Sequence, residues 1–256
     1  MGGELRQDAP VNARRLDADA LAQQLRDDPA AAIAALRDAA RADDAEAQAW
    51  LGQLHLDGNV VPRDAAEAHY WFQRAAHAGV PMAMNMLGRC CENGWGVAVD
   101  FPLAAVWYRR AAAHNLDWAI YNLAHMHWNG RGMAADRVAA FALFRRAAAL
   151  GHARAMHFLG QFHEHGWETP VNLDRAFDLY RQSAELGDYR GLCSWASVLA
   201  GMGRVDEAVP LIERAIPLAP THYLGPLAAQ LRPSAHVALH RLAIWIDELS
   251  TPRADA

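Results

Sequence analysis

A 36-residue period constrains what this chain can fold into more than any other feature of its sequence. The segment Trp107–Ala112 has a counterpart 36 residues earlier at Trp71–Ala76, and later counterparts at Leu143–Ala148 and Leu179–Ala184. A period of this length is typical of stacked helix pairs, because one pair cannot bury its apolar face alone. The chain is therefore predicted to be an all-α solenoid built from helix-turn-helix repeats.

Each period carries signals for two helices. In the first helix of each repeat a leucine is followed by a small residue, which lets two helices approach closely. These small residues are Gly52, Gly88, Ala124 and Gly160. These helices are predicted to end where a positive φ is needed, at Gly58, Gly94, Gly130 and Gly166. The second helices open at capping side chains, namely Asp64, Asp100, Asp136 and Asn172, and end at Gly79, Asn115, Gly151 and Gly187.

The pattern predicts a single α-solenoid domain over residues 16–250, preceded by a flexible N-terminus at 1–15. A stack has no single core that limits its length, so one domain can run this far. The predicted parts are a degenerate capping repeat at 16–43, full repeats at 44–79, 80–115, 116–151 and 152–187, a more compact repeat at 188–220 and C-terminal helices at 221–250. The last helix is expected to cover the open end with the apolar residues Val237, Leu239, Leu242, Ile244, Trp245 and Ile246.

Composition excludes several classes of function. The formal net charge is -5 and the arginines are scattered, which argues against a nucleic-acid partner. Lysine is absent, so Schiff-base and P-loop chemistry are excluded. The sequence has neither an apolar run long enough for a membrane span nor an N-terminal secretion signal, and its three cysteines form no disulfide framework. We therefore expect a cytoplasmic protein with no membrane partner. The use of arginine in place of lysine indicates a GC-rich bacterial genome.

The repeat resembles the Sel-one-like repeat family, a subfamily of tetratricopeptide-type helical repeats. The shared motif is Ala-x-x-x-Leu-Gly, a Gly turn, an Asp cap and Trp-aromatic-x-Arg-Ala-Ala-x-x-Gly, over about residues 44–187, while Glu207–Pro220 looks closer to an ordinary tetratricopeptide repeat. The resemblance implies a right-handed superhelix of about six repeats that serves as a scaffold or adaptor for proteins and peptides, with no catalytic residue and no cofactor. Late in the first helix the family usually has Tyr, whereas this chain has His55, Cys91, His127 and His163.

The first helices of such a stack line its concave side, and this register defines the candidate site. It predicts a groove for a protein or peptide segment, formed by Asn85, Arg89, Glu92, Trp118, Tyr121, Asn122, His125, Trp128, Arg154, His157 and Gln161. Aromatic anchors flanked by Arg and amide side chains are typical of peptide sites. The alternative interpretation is that Trp118 and Trp128 only pack between repeats.

Two other functions remain open from the sequence. A metal-dependent or β-lactamase-like hydrolase would use the histidines around residues 125–165, although a zinc site needs three or four converging donors and no such set is evident, so no metal ligand is assigned. A structural role would have the helix around Trp245 dock a second copy of the chain. The oligomeric state is not predicted.

Overall fold

The computed structural model describes the backbone of residues 18–250 and the side chains of residues 20–249. Every regular element in this range is helical, with one short 3₁₀ turn at Ile216–Leu218. The helices are α1 (Ala18–Asp27), α2 (Pro29–Arg41), α3 (Ala45–Asp57), α4 (Ala65–His77), α5 (Pro81–Asn93), α6 (Phe101–Ala113), α7 (Asp117–Asn129), α8 (Arg137–Ala149), α9 (Ala153–His165), α10 (Leu173–Glu185), α11 (Tyr189–Gly201), α12 (Val205–Ala215), α13 (Thr221–Leu231) and α14 (Val237–Ser250).

The chain divides into two compact units, residues up to Trp107 and residues from Tyr108 onward. In the first unit, α1 to α5 pack successively, each against the next. In the second unit, α7 to α12 do the same, and α9 also packs against α11, which places the first helices of two successive repeats side by side. This packing order confirms the predicted all-α fold of helix pairs. The single domain stays a prediction, and the expected flexible segment 1–15 lies outside the described residues.

The predicted capping residues begin the second helices. The carboxylate of Asp64 accepts hydrogen bonds from the amides of Ala66 and Glu67, and Asp100, Asp136 and Asn172 each accept one from the third residue after them. Such side chains satisfy amides that have no partner within the helix. The residues predicted to end the helices all have positive φ, including Asn115 at 59°.

Close approach within a repeat depends on the small residue of the first helix. A Cβ atom added to Gly52 would lie 2.9 Å from the ring of Phe72, and one added to Gly160 would lie 2.5 Å from the ring of Tyr180. Both distances are shorter than carbon atoms tolerate, so an aromatic ring of the second helix occupies the space that a side chain would need.

Arginines of the second helices bind the turn that precedes their own repeat. Arg74 forms an ion pair with Asp43, and Arg146 donates to the side chain of Asn115 at 2.6 Å and to the carbonyl of Ala112 at 2.7 Å. Asp43 and Asn115 are both non-glycine residues with positive φ at equivalent turns. The arginine 31 residues later thus stabilises a turn in which a non-glycine residue adopts an unfavourable left-handed backbone conformation.

The C-terminal helices bury a narrower face than the sequence suggested. In α14 the buried residues are Leu239, Leu242, Ala243 and Ile246, which pack on a core shared with α11 to α13. Val237, Ile244 and Trp245 were expected on that face, but they are exposed, because the helix turns only one stripe toward α11–α13. Within residues 18–250, no helix has the length and hydropathy that a membrane span requires.

Replacing Gly160 by Ala should lower the free energy of unfolding by about 1–2 kcal/mol, because the new methyl group displaces the Tyr180 ring. The matched control is Gly201→Ala at the end of α11, where a Cβ would meet no atom within 4 Å. That change should raise stability by about 0.5–1 kcal/mol through helix propensity. Urea unfolding followed by circular dichroism checks both, and equal effects of the two substitutions would contradict the close-approach argument.

Candidate functional site

Three helices of the second unit, α7, α9 and α11, carry one register of groove positions. Trp118, Arg154 and Arg190 lie 36 residues apart, each near the start of its helix. Tyr121 and His157 occupy the position one turn further, and His125 and Gln161 the next. The helix period therefore sets these side chains in columns that follow one another from repeat to repeat.

The predicted site residues of this unit differ in exposure. Trp118 is 40% exposed, whereas Tyr121 is 7% and His157 is 6% exposed. The remaining ones are half-buried, namely Asn122, His125, Trp128, Arg154 and Gln161. Among these residues, Trp118 therefore exposes a large apolar side chain at the surface. Tyr121 and His157 are buried and pack behind the groove surface.

The other predicted site residues belong to the first compact unit. Asn85 is 3% exposed and lies inside the packing of α5. Arg89 and Glu92 are half-buried, and the Arg89 guanidinium lies 4.9 Å from the centre of the Trp95 ring. Their part in one groove together with α7 and α9 stays a prediction.

A continuous set of rings lies beneath Trp118. Its ring contacts that of His152 edge to face at 4.6 Å, and His152 stacks on Tyr121 at 4.5 Å. Tyr121 in turn contacts His125 at 4.6 Å, and His125 contacts Phe158 at 4.5 Å. Aromatic pairs at such separations stabilise one another beyond simple burial, so these rings hold one another in place.

Trp128 belongs to a different cluster at the opposite end of α7. Its ring lies 5.2 Å from both Phe162 and Trp167, and the guanidinium of Arg137 covers it at 4.8 Å. This surrounding supports the packing interpretation for Trp128, which the sequence left open. Trp118 differs because its covering group, Arg154, lies 5.2 Å from its ring and leaves it exposed.

A charged group beside Trp118 contains residues that the sequence did not assign to the site. Asp188, which is buried, lies with Oδ1 3.7 Å from Nε of Arg154 and 3.9 Å from Nη1 of Arg190. Trp118, His152, Arg154 and Asp188 line a cleft of about 380 Å³, with Asp117 also at its wall. The register places Arg190 one period after Arg154 and so on the groove side of the fifth repeat, although the predicted site did not include it. Asp188 could have been found as the cap of α11, where it accepts from the Gly191 amide at 3.2 Å.

Three imidazoles in this region are held neutral. Burial lowers the pKa of His152 to about 4, and burial together with the nearby Arg190 lowers that of His157 to about 4. Burial likewise lowers the pKa of His125 to about 4, with added effects of Arg190, Arg131 and His152, while Asp117 acts in the opposite direction on His152. Burial raises the pKa of Tyr121 to about 12. At neutral pH the arginines therefore carry the positive charge of the site.

One pair of side chains has the composition of a nucleophile and its base. Nε2 of His157 lies 3.1 Å from Oγ of Ser194. An imidazole with a pKa of about 4 is a weak base at neutral pH, and its Nδ1 has no hydrogen-bond partner among the described residues that would orient the ring. This pair therefore lacks the base and the orienting hydrogen bond of an activated nucleophile. Among the described residues, no group of three or more His, Cys, Asp or Glu is placed to hold a metal ion.

Acidification between about pH 6.5 and pH 4 should destabilise the protein. In this window the unfolded chain protonates its histidines while the buried rings of His125, His152 and His157 stay neutral, so the unfolded state binds more protons. Each ring contributes up to about 1.4 kcal/mol per pH unit, and below pH 4 the contribution no longer changes.

Urea titrations at a series of pH values measure this dependence. His157→Gln should make the slope shallower, whereas the matched change at the exposed His222 should not. Equal slopes for wild type and His157→Gln would contradict the assignment of a buried neutral imidazole.

Known proteins share this architecture. Among solved structures, a Sel1 repeat protein from Oxalobacter formigenes is similar over 81% of this chain and 89% of its own, with 23% identity and a TM-score of 0.69. A protective antigen of uropathogenic Escherichia coli with an SLR fold is 25% identical with a TM-score of 0.65, over 86% of this chain and 48% of its own, so this chain spans about half of that protein. An immunity protein from Pseudomonas aeruginosa is 14% identical with a TM-score of 0.57, over 80% of each chain.

No curated protein sequence matches this chain. The Sel1 repeat matches it four times, at residues 45–80, 81–116, 119–152 and 153–188, with every boundary within three residues of the repeats that the 36-residue period delimits. Because these matches cover more than half of the sequence, the chain belongs to the Sel1 repeat family.

Proposed function

We propose that this protein is a non-catalytic adaptor that binds a protein or peptide segment along the groove face of α7, α9 and α11. The observation that carries the proposal is Trp118, a large apolar side chain that is 40% exposed on a wall of otherwise packed rings. Sel1 repeats in general are protein-interaction scaffolds, which supports the same class of function.

The surroundings of Trp118 suit a contact residue. His152 holds the inner edge of the ring, and Arg154 covers part of it without burying it. A rigid aromatic ring at the surface loses little conformational entropy when a partner covers it, and such rings are often the residues that contribute most to binding. Half-buried Asn122 and Gln161 lie in neighbouring columns and supply amide groups for a peptide backbone.

Removal of the Trp118 side chain should weaken peptide binding by tenfold or more while leaving the fold intact. The experiment pans a randomised dodecapeptide library against wild type and Trp118→Ala, then measures the affinities of the enriched peptides by fluorescence anisotropy. Tyr121 is left unchanged because it is buried among His125, His152 and Phe158, and its loss would open a cavity.

The matched control is Trp245→Ala on α14, since Trp245 is 39% exposed. It should bind the enriched peptides like wild type. Unchanged affinity of Trp118→Ala for those peptides would contradict the proposed site.

A further inference from the structure

Two guanidinium groups in the groove share a single carboxylate. Arg154 on α9 and Arg190 on α11 both face Oδ1 of Asp188, at 3.7 and 3.9 Å. The other oxygen of Asp188 accepts the Gly191 amide, so this carboxylate also serves as a helix cap. The three side chains together carry a net charge of +1, and Asp117 on the wall of the cleft carries a further negative charge.

One buried donor of Arg190 is not satisfied by the protein. Nη1 of Arg190 is buried and has no hydrogen-bond acceptor among the described residues, since its 3.9 Å separation from Asp188 is too long for a hydrogen bond. The closest approach of Arg154 to Asp188, 3.7 Å, is also too long. A buried donor without an acceptor is costly, and a guanidinium presents five donors in one plane.

The groups around Arg190 do not supply the missing acceptor. Its charge acts on Tyr121, His125 and His157, which are neutral side chains at neutral pH. Its own ring contact is with Tyr189, 4.4 Å away. On the other side, Asp117 lines the cleft beside Trp118, so an added anion would be favoured toward Arg190 and away from Asp117.

We propose that Arg154 and Arg190 bind a carboxylate of the peptide that occupies the groove. This inference rests on the proposed function, because the same peptide would contact Trp118, which lies under Arg154. A carboxylate matches the planar donors of a guanidinium and supplies the acceptor that the buried Nη1 of Arg190 lacks. Its source is either an Asp or Glu side chain or the C-terminal carboxylate of the peptide.

The test uses two forms of one randomised dodecapeptide library, with a free C-terminal carboxylate or with a C-terminal amide. Enrichment of Asp or Glu in the amide form identifies a side-chain carboxylate. Enrichment only in the free-acid form identifies the C-terminus. Either result supports the inference when Arg190→Gln and Arg154→Gln each weaken the enriched peptide by about 10- to 100-fold.

The matched control is Arg181→Gln, since Arg181 is an exposed arginine of α10 that pairs with Asp178. It should bind like wild type. Arg190→Lys keeps the charge but loses the planar donor pair, so it should restore only part of the affinity. Arg154 is the more exposed of the pair, and Arg154→Gln supplies the same comparison if Arg190→Gln does not fold.

Three outcomes separate this inference from the proposed function. Enriched peptides that bind both Gln variants within twofold of wild type would overturn the carboxylate site. Neutral peptides that depend on Trp118 but not on the arginines would overturn it while leaving the groove function intact. A wild-type protein that enriches no peptide from either library would overturn both.

Discussion

The fold depends on how closely the two helices of a repeat approach each other. At Gly52 and Gly160 the aromatic ring of the second helix lies against the backbone of the first, at distances that leave no room for a Cβ atom. Leucine and alanine positions on the same stripe, such as Leu51 and Ala155, are almost fully buried as a result. This short separation lets a pair of 13-residue helices bury enough apolar surface to persist as one unit of a stack.

The groove face follows from that packing. Because each first helix is held at a fixed distance from its own partner, the same register recurs on α7, α9 and α11, and Trp118, Arg154 and Arg190 follow one another along the surface. The wall behind them consists of neutral aromatic and imidazole rings, whose burial lowers the pKa values of the histidines. An apolar wall with two arginines at its edge has the shape and charge that the proposed peptide site requires.

Much of the fold could be predicted from the sequence, because its signals are local and periodic. The caps Asp64 and Asn172 and the left-handed turn at Asn115 each follow from the residue type and its neighbours.

The exposure of Tyr121 could not be predicted in this way. A helical period tells which residues share a side of α7, but His152 in the turn before α9 stacks on the Tyr121 ring, and that turn comes from a different part of the chain. The same reason applies to Asp188. Its role as a helix cap could be predicted from the sequence, but its approach to two arginines depends on how α9 and α11 pack and could not be predicted.

The contact between Arg74 and Asp43 bears on how such an array changes in length during evolution. The two residues are 31 positions apart, and Arg110 stands one period after Arg74. If recombination removed residues 44–79 as one block, Arg110 would move into the register that Arg74 now holds opposite Asp43. An array of this kind can therefore lose whole units while the turn at the junction keeps its ionic partner, whereas a deletion that is not a multiple of 36 residues would leave Asp43 without an arginine in that register.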